Sequence, residues 1–345
     1  MRNIQTIAAL AGLLAAPLVP SAVQAQETLY IAGPGGGKQE AIEKVLFPIF
    51  EAKTGAKVVY VPGGSSATLA KLIAQKGNQD LSLVIMDSSV MRQAVQQELC
   101  APLPNLPVLN DLYPEARMKG DRSIGDGFYA VGLVYNTKVF EENGWEAPTS
   151  WNDLGDPKYR GKVAIGPISG YGIEALVMVA KANGGSEINI EPGFEVFSEK
   201  IAPNVFAWEN NNANLAQMLQ TGEAALSVWN NTRAGILMDQ GAPVEFVIPK
   251  EGGEMAMSSE CVVNGAPQPE LAARFLEIAL SPEGQIAVAN SSGYGPVNNK
   301  VDLEPELAAK VVGPDQLKKL VPTAWDVVNE QRDKWTQRWN REVER

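Results

Sequence analysis

Between Thr28 and Ser89 the chain repeats one pattern three times: a short apolar run, a glycine-rich or polar turn, and a helix-forming stretch. Residues 28–32 lead through Gly33-Pro34-Gly35-Gly36-Gly37-Lys38 into a helix reaching about Lys53. Residues 58–61 lead through Gly63-Gly64-Ser65-Ser66 into a helix over 68–75, and residues 81–86 through Asp87-Ser88-Ser89 into a third. Strands that alternate with helices bury themselves best as a parallel sheet covered on both faces. The fold class read from this pattern is α/β, with a doubly wound sheet whose polar turns gather on one edge.

The first turn invites comparison with a phosphate cradle, but the residue five before Gly37 is Ala32 and Gln39 follows Lys38, so the Walker spacing fails. A turn that lets a small ligand approach the backbone and a plain flexible turn both remain open. Ser65 and Ser66 stand at a helix start, where hydroxyls cap the helix or leave its free N–H groups to hold an anion; Ser88 is placed similarly.

A second such block follows. Residues 103–114, rich in proline and apolar residues, read as a surface excursion, and residues 128–136 as a long strand with no helix before it. Further strands are expected at 163–165, after which Ser169-Gly170-Tyr171 opens a helix from Ile173, and at 205–208, 224–228, 244–248 and 259–263. Helices are expected over 214–220, 269–280, 282–289 and 324–344. The 224–228 strand runs into Trp229-Asn230-Asn231-Thr232-Arg233, an indole, two amides, a hydroxyl and a guanidinium. In open α/β sheets ligands bind beyond the carboxyl ends of strands, so this stretch reads either as the floor of a small-molecule cleft or as an ordinary strand-to-helix loop.

A chain of 345 residues has room for two domains of about 150 residues each. Residues 1–25 read as an export signal: Arg2, an apolar run over 7–19 broken near its end by Pro17 and Pro20, and Val23-Gln24-Ala25 as a small-residue cleavage site. The competing reading, a retained anchor, needs about 20 apolar residues. Losing Arg2 with the signal takes the net charge from -11 to -12, which disfavours nucleic acid and anionic membranes as partners. Cys100 and Cys261 are open to a disulfide in an oxidising compartment or to two separate buried thiols. The absence of histidine removes Ser-His-Asp and Cys-His catalysis and histidine metal sites together. An exported chain with that composition reads as a binder, with no catalytic residue, cofactor or metal expected.

The order and spacing of several motifs resemble a known family. They are Trp151-Asn152-Asp153-Leu154 with Asp156-Pro157-Lys158-Tyr159-Arg160-Gly161-Lys162-Val163, then Gly222-Glu223 leading to Trp229-Asn230, and Pro249-Lys250-Glu251-Gly252-Gly253. Leu280-Ser281-Pro282-Glu283 and Tyr294-Gly295-Pro296-Val297-Asn298 complete the set. Together they resemble the bacterial extracellular solute-binding proteins of ABC importers, in their spermidine/putrescine-binding branch. The resemblance implies a type II periplasmic binding protein: two αβ lobes, two hinge crossings near Tyr135 and Ser258, a ligand held in the cleft between, and delivery to permease subunits of the inner membrane. The implied lobes are 26–134 with 258–301, and 135–257 with 302–345. A periplasmic monomer is expected.

By the same resemblance Trp229 stands where the family stacks an indole on its ligand, Trp208 and Tyr171 offer further faces, and Glu174 matches an acid used on an amine. Glu174 is equally a favourable charge in a first helical turn. The family's aromatic and aspartate after Gly253 are replaced by Ala256 and Ser258, which weakens a polyamine assignment. Arg233 points the other way, since a guanidinium pairs bidentately with carboxylate or phosphonate; a solvated first-turn arginine is the alternative. With Ser65, Ser66, Ser88 and Ser169 around an anion, and Asp87 or Glu174 on an amine, the expected ligand is an ω-amino acid or small carboxylate. A diamine or polyamine is the second choice. Ferric ion lacks supporting ligands, and an exported hydrolase working with two carboxylates or a purely structural protein are the rival classes.

Overall fold

The computed structural model describes residues 26–344, so the export-signal reading of residues 1–25 lies outside it. The three opening strands, β1 (Thr28–Gly33), β2 (Lys57–Pro62) and β3 (Leu83–Asp87), lie in the order β2-β1-β3, with β1 parallel to both neighbours. Leu29, Ile31, Leu83, Val84 and Ile85 are wholly buried, as a sheet covered on both faces requires. The helix after β1 runs from Gly37 to Thr54 with one π turn at Ile42–Leu46, and Gly55 closes it at φ 73°, a left-handed conformation natural to glycine.

Seven more strands extend the sheet: β4 (Ile124–Asn136), β5 (Val163–Ile165), β6 (Val205–Trp208), β7 (Leu226–Asn230), β8 (Val244–Val247), β9 (Gly253–Val262) and β10 (Leu320–Pro322). The order is β2-β1-β3-β9-β4-β7-β5-β6, with β10 on β9 and β8 on β4. The long strands β4 and β9 are antiparallel to each other, and each changes partner along its length. β4 pairs with β9 from Ile124 to Val131 and with β7 from Val131 to Tyr135. β9 pairs with β10 from Gly253 to Met255 and with β3 from Ser258 to Val262. Every residue of β4 is buried.

Three apolar clusters flank this sheet. One gathers β1, β3, the first half of β4 and the second half of β9 under Phe50, Phe275 and Leu276. Another lies around β5, the Gly172–Ala182 helix, Trp151, Trp335 and Trp339, and a smaller one under Trp229, Leu215 and Ala234. Cys100 and Cys261 are joined by a disulfide inside the first cluster, their Cα atoms 5.8 Å apart.

Two expectations shift. The 103–114 stretch forms short 3-10 turns, yet Leu109, Leu112 and Ala116 are buried in the first cluster, so the excursion is anchored by its own leucines. The strand expected at 224–228 sits two residues further on. Asn230 pairs with Val131 and Trp229 with Gly132, so the polar stretch is strand and helix start rather than loop.

Candidate functional site

β2 and β3 end at the helices Ser65–Ala74 and Ser88–Gln96, and β7, which runs opposite to them, ends at the helix Asn231–Asp239, so three helix N-termini, each with unpaired N–H groups, face one another across the inner edge where β4 changes partner. Asp87, the last residue of β3, is the hub of this edge. Its Oδ2 accepts a 2.7 Å hydrogen bond from Ser65 Oγ, which accepts the Asp87 N–H at 3.0 Å, and its Oδ1 accepts the Tyr129 hydroxyl at 2.8 Å. Tyr129 reaches over from β4 across β9, where the residue opposite it is the small Ala256. Ser88 is buried beside Asp87 at the helix start.

From the far side comes the β7 end. Asn230 Nδ2 donates to Tyr171 OH at 2.8 Å, while Asn230 Oδ1 accepts the Arg233 N–H at 2.9 Å and the Thr232 hydroxyl at 3.1 Å, capping the Asn231–Asp239 helix. Asn231 Oδ1 accepts the Ala130 N–H at 2.8 Å, which fixes this helix start to β4. Tyr294 packs edge-on against Tyr129 with ring centroids 5.5 Å apart, and the Lys38 ammonium lies 4.7 Å from the Tyr294 ring.

Electrostatics link the two sides. Burial pushes the Tyr129, Tyr171 and Tyr294 phenols up, and the Asp87 charge pushes each of them further; the Arg233 guanidinium opposes the rise at Tyr171 and Tyr294. All three phenols are therefore neutral donors at neutral pH. Asp87 and Arg233 are both within electrostatic reach of the same two rings, Tyr171 and Tyr294. Glu174 is half-buried, and burial, with Asp87 adding and Arg332 opposing, pushes its carboxyl up to about 7.

The other expected residues divide. Trp229 is 2% exposed and its indole donates to Asn212 Oδ1 at 3.0 Å, so its rim is committed to the protein. Trp208 is half-buried and packs edge-on against Trp339 at 5.3 Å. Ser258 is buried and accepts from Lys38, which also pairs with Asp126. Ser66 and Ser169 are exposed at their helix starts. The structure thus brings Ser65, Asp87, Ser88, Tyr171, Glu174, Asn230 and Arg233 into one neighbourhood, with Ser258 opposite Asp87 on β9 but its hydroxyl turned to Lys38.

Sequence reasoning missed Tyr129, Tyr294, Asn231 and Arg332. Tyr129 and Tyr294 lie inside stretches read as a crossing strand and a rigid turn, and only the pairing of β4 with β9 aims them at Asp87. Among the described residues no group of three or more Cys, Asp or Glu is arranged to hold a metal ion, and no helix is long and apolar enough to cross a membrane. Chemically the edge offers neutral hydroxyl donors, helix N–H groups and a guanidinium to an anion, and carboxylates to a cation.

A family model described as bacterial extracellular solute-binding protein matches residues 46–312. The spermidine/putrescine-binding periplasmic protein of Escherichia coli (strain K12) is 29% identical over 293 residues, covering 80% of this chain and 81% of its own. A putative 2-aminoethylphosphonate-binding periplasmic protein of Salmonella typhimurium is 24% identical over 304 residues, covering 85% of both chains. Among solved structures, an ABC transporter protein of Clostridium perfringens superposes with a TM-score of 0.78 at 23% identity, covering 91% of this chain and 99% of that one, which shows the fold.

Proposed function

The chain belongs to the bacterial extracellular solute-binding proteins, binding components of ABC transporters rather than enzymes, and on that premise we propose that its ligand is an ω-amino acid or related small carboxylate. The observation that carries the reading is Arg233 in the first turn of a helix capped by Asn230, beside the neutral phenol of Tyr171, with Asp87 on the facing strand end. A guanidinium next to helix N–H groups pairs with carboxylate or phosphonate. Asp87 and Glu174 supply the acids for an amine. The names of the two sequence relatives support the amine, which spermidine, putrescine and 2-aminoethylphosphonate share.

In this reading the molecule works as two lobes, 26–134 with 258–301 and 135–257 with 302–345. They hinge on β4 and β9 and close over the ligand before it passes to permease subunits. Residues 1–25 act as the export signal and the mature protein is a periplasmic monomer.

A thermal-shift screen of ligand-stripped protein with 4-aminobutanoate, 2-aminoethylphosphonate, butanoate, putrescine and spermidine tests the ligand class. A ligand present at a hundred times its dissociation constant stabilises the fold by about 2.7 kcal/mol. Arg233→Ala is expected to weaken the ω-amino acids by about 10- to 100-fold, the loss of a charge-assisted hydrogen-bond pair of roughly 1.5–3 kcal/mol. A protein stabilised by putrescine or spermidine alone, and equally so in Arg233→Ala, is a polyamine binder and ends the reading.

A further inference from the structure

β9 carries a glutamate where the sheet interior calls for an apolar side chain. Glu254 is 0% exposed, and neither of its carboxyl oxygens has a partner at full hydrogen-bond geometry among the described residues, the Thr323 hydroxyl and the Trp325 indole being the donors that face it. In the parallel register of β9 with β10 it lies beside Val321, so Thr323, two residues on, comes to the same face. Thr323 is 8% exposed and its Oγ1 is also without a partner, as is Oε2 of Glu174.

The nearby cations act on these acids through space but hydrogen-bond to other groups. Lys181 is 2.8 Å from Glu187 and donates to Pro322 O at 2.9 Å, and Arg332 donates to Asn329 Oδ1. Buried polar atoms are nearly always satisfied, so a group of orphans on adjoining elements needs an explanation. Three of the four atoms are carboxyl oxygens, which become pure acceptors once the acids ionise, and the fourth is a hydroxyl. Their chemical complement is a positively charged group with several N–H donors.

We propose that Glu254, Glu174 and Thr323 form a subsite for the ammonium group of the ligand. Glu254 is its floor and half-buried Glu174 its rim on the side of Asp87. The inference rests on the reading above that the ligand carries an amine, and it moves the amine away from Asp87, whose two oxygens already accept from Tyr129 and Ser65. Burial, followed by the Glu174 charge, pushes the Glu254 carboxyl up to about 8, and Glu174 stands at about 7. The groups facing them are Glu174 and Lys181 on the Gly172–Ala182 helix, Arg332 and the Trp325 indole on the Trp325–Glu342 helix, Thr323 after β10, and Asp87 on β3. An arriving ammonium favours the ionised acid, so at pH 7 the O–H bond of Glu254 breaks, its electron pair stays on the carboxylate and the proton passes to solvent.

Calorimetry at pH 7 in two buffers of different ionisation enthalpy counts that proton. With 4-aminobutanoate and with putrescine, native protein is expected to release close to one proton per molecule bound. Glu254→Gln, close in shape to the protonated acid, is expected to bind both at least tenfold more weakly and to release fewer protons, with its thermal midpoint reporting that it folds. Glu174→Gln, at a half-buried position, is expected to weaken both in the same direction. Unchanged affinity and proton count in Glu254→Gln overturns the subsite, as does amine binding to native protein without proton release, or no binding of either amine at all. Potassium chloride raising the native midpoint and not that of Glu254→Gln, with the amines inert, assigns the site to an inorganic cation and overturns the ammonium. Arg233→Ala run alongside separates the two ideas. Weakening there with none in Glu254→Gln removes the subsite and keeps the anion anchor, and the converse keeps the subsite and removes the anchor.

Discussion

Lys38 is the residue whose role changes most between sequence and structure. It follows a run of glycines whose spacing fails the phosphate-cradle pattern, and it is 3% exposed and bonded to Asp126 and Ser258 beneath the Tyr294 ring. Burial, with the Asp126 charge adding, pushes the neighbouring Glu260 carboxyl far up, which disfavours a further negative charge beside the Lys38–Asp126 pair. Removing one partner of a buried pair leaves an unpaired charge, which costs about 3–5 kcal/mol. Lys38→Met is therefore expected to lose about that much in urea unfolding, and Lys38→Met with Asp126→Leu to recover part of it. If the single variant is as stable as the native protein, the pair does not hold this region.

At the scale of elements the decisive joint is the passage from β7 to the Asn231–Asp239 helix. Asn230 is the last strand residue and the helix cap together, and the same side chain holds Tyr171. Asn230→Ala loses both, at a cost of about 1 kcal/mol for the cap. Its effect on ligand affinity is expected to exceed its effect on stability, because Arg233 and Tyr171 lose their shared support. Equal affinity in the variant and the native protein would mean that the cap does not position the site. The turn after the Pro282–Ser292 helix is fixed differently. A Cβ on Gly295 would meet Val312 O at 2.0 Å, which explains a glycine beside the Tyr294 that packs on Tyr129.

Across the whole molecule two quantities should be measurable without knowing the ligand. The disulfide between Cys100 and Cys261 closes a loop of 161 residues and ties the end of β9 to the segment after the Ser88–Gln96 helix. Cys100→Ser with Cys261→Ser is expected to lower stability by about 2–4 kcal/mol, read as the denaturant midpoint under oxidising conditions. An unchanged midpoint would show that the crosslink adds nothing to the folded state. The raised carboxyls of Glu254 and Glu174 set a pH trend. An acid whose folded value is raised binds more protons folded than unfolded, so its contribution is complete below the unfolded value of about 4.3–4.5 and is lost as pH climbs through the folded one. For groups at about 8 and about 7, thermal midpoints are expected to fall between pH 5 and pH 8, and Glu254→Gln to flatten the fall. A native midpoint level across that range contradicts those values.

Local chemistry alone determined a good deal. Three apolar runs with glycine-rich or polar turns can only be buried as parallel strands under helices, and β1, β2 and β3 pair that way because no other arrangement covers both faces of Leu29, Ile31, Val84 and Ile85. Val205–Trp208 was legible as a short β-branched and aromatic run although it is an edge strand with no fully buried residue, and the motif order placed the chain in its family. What tertiary structure decided was everything that depends on strand register. Pairing of β4 with β7 drew Trp229 and Asn230 into the sheet, which committed the Trp229 indole to Asn212 and turned Asn230 toward Tyr171. Pairing of β4 with β9 set Tyr129 opposite Ala256 and so carried its hydroxyl to Asp87, far away in sequence. Register is a long-range choice, made by which faces the whole core can bury, and a one-residue slip would have turned each of these side chains to the other face.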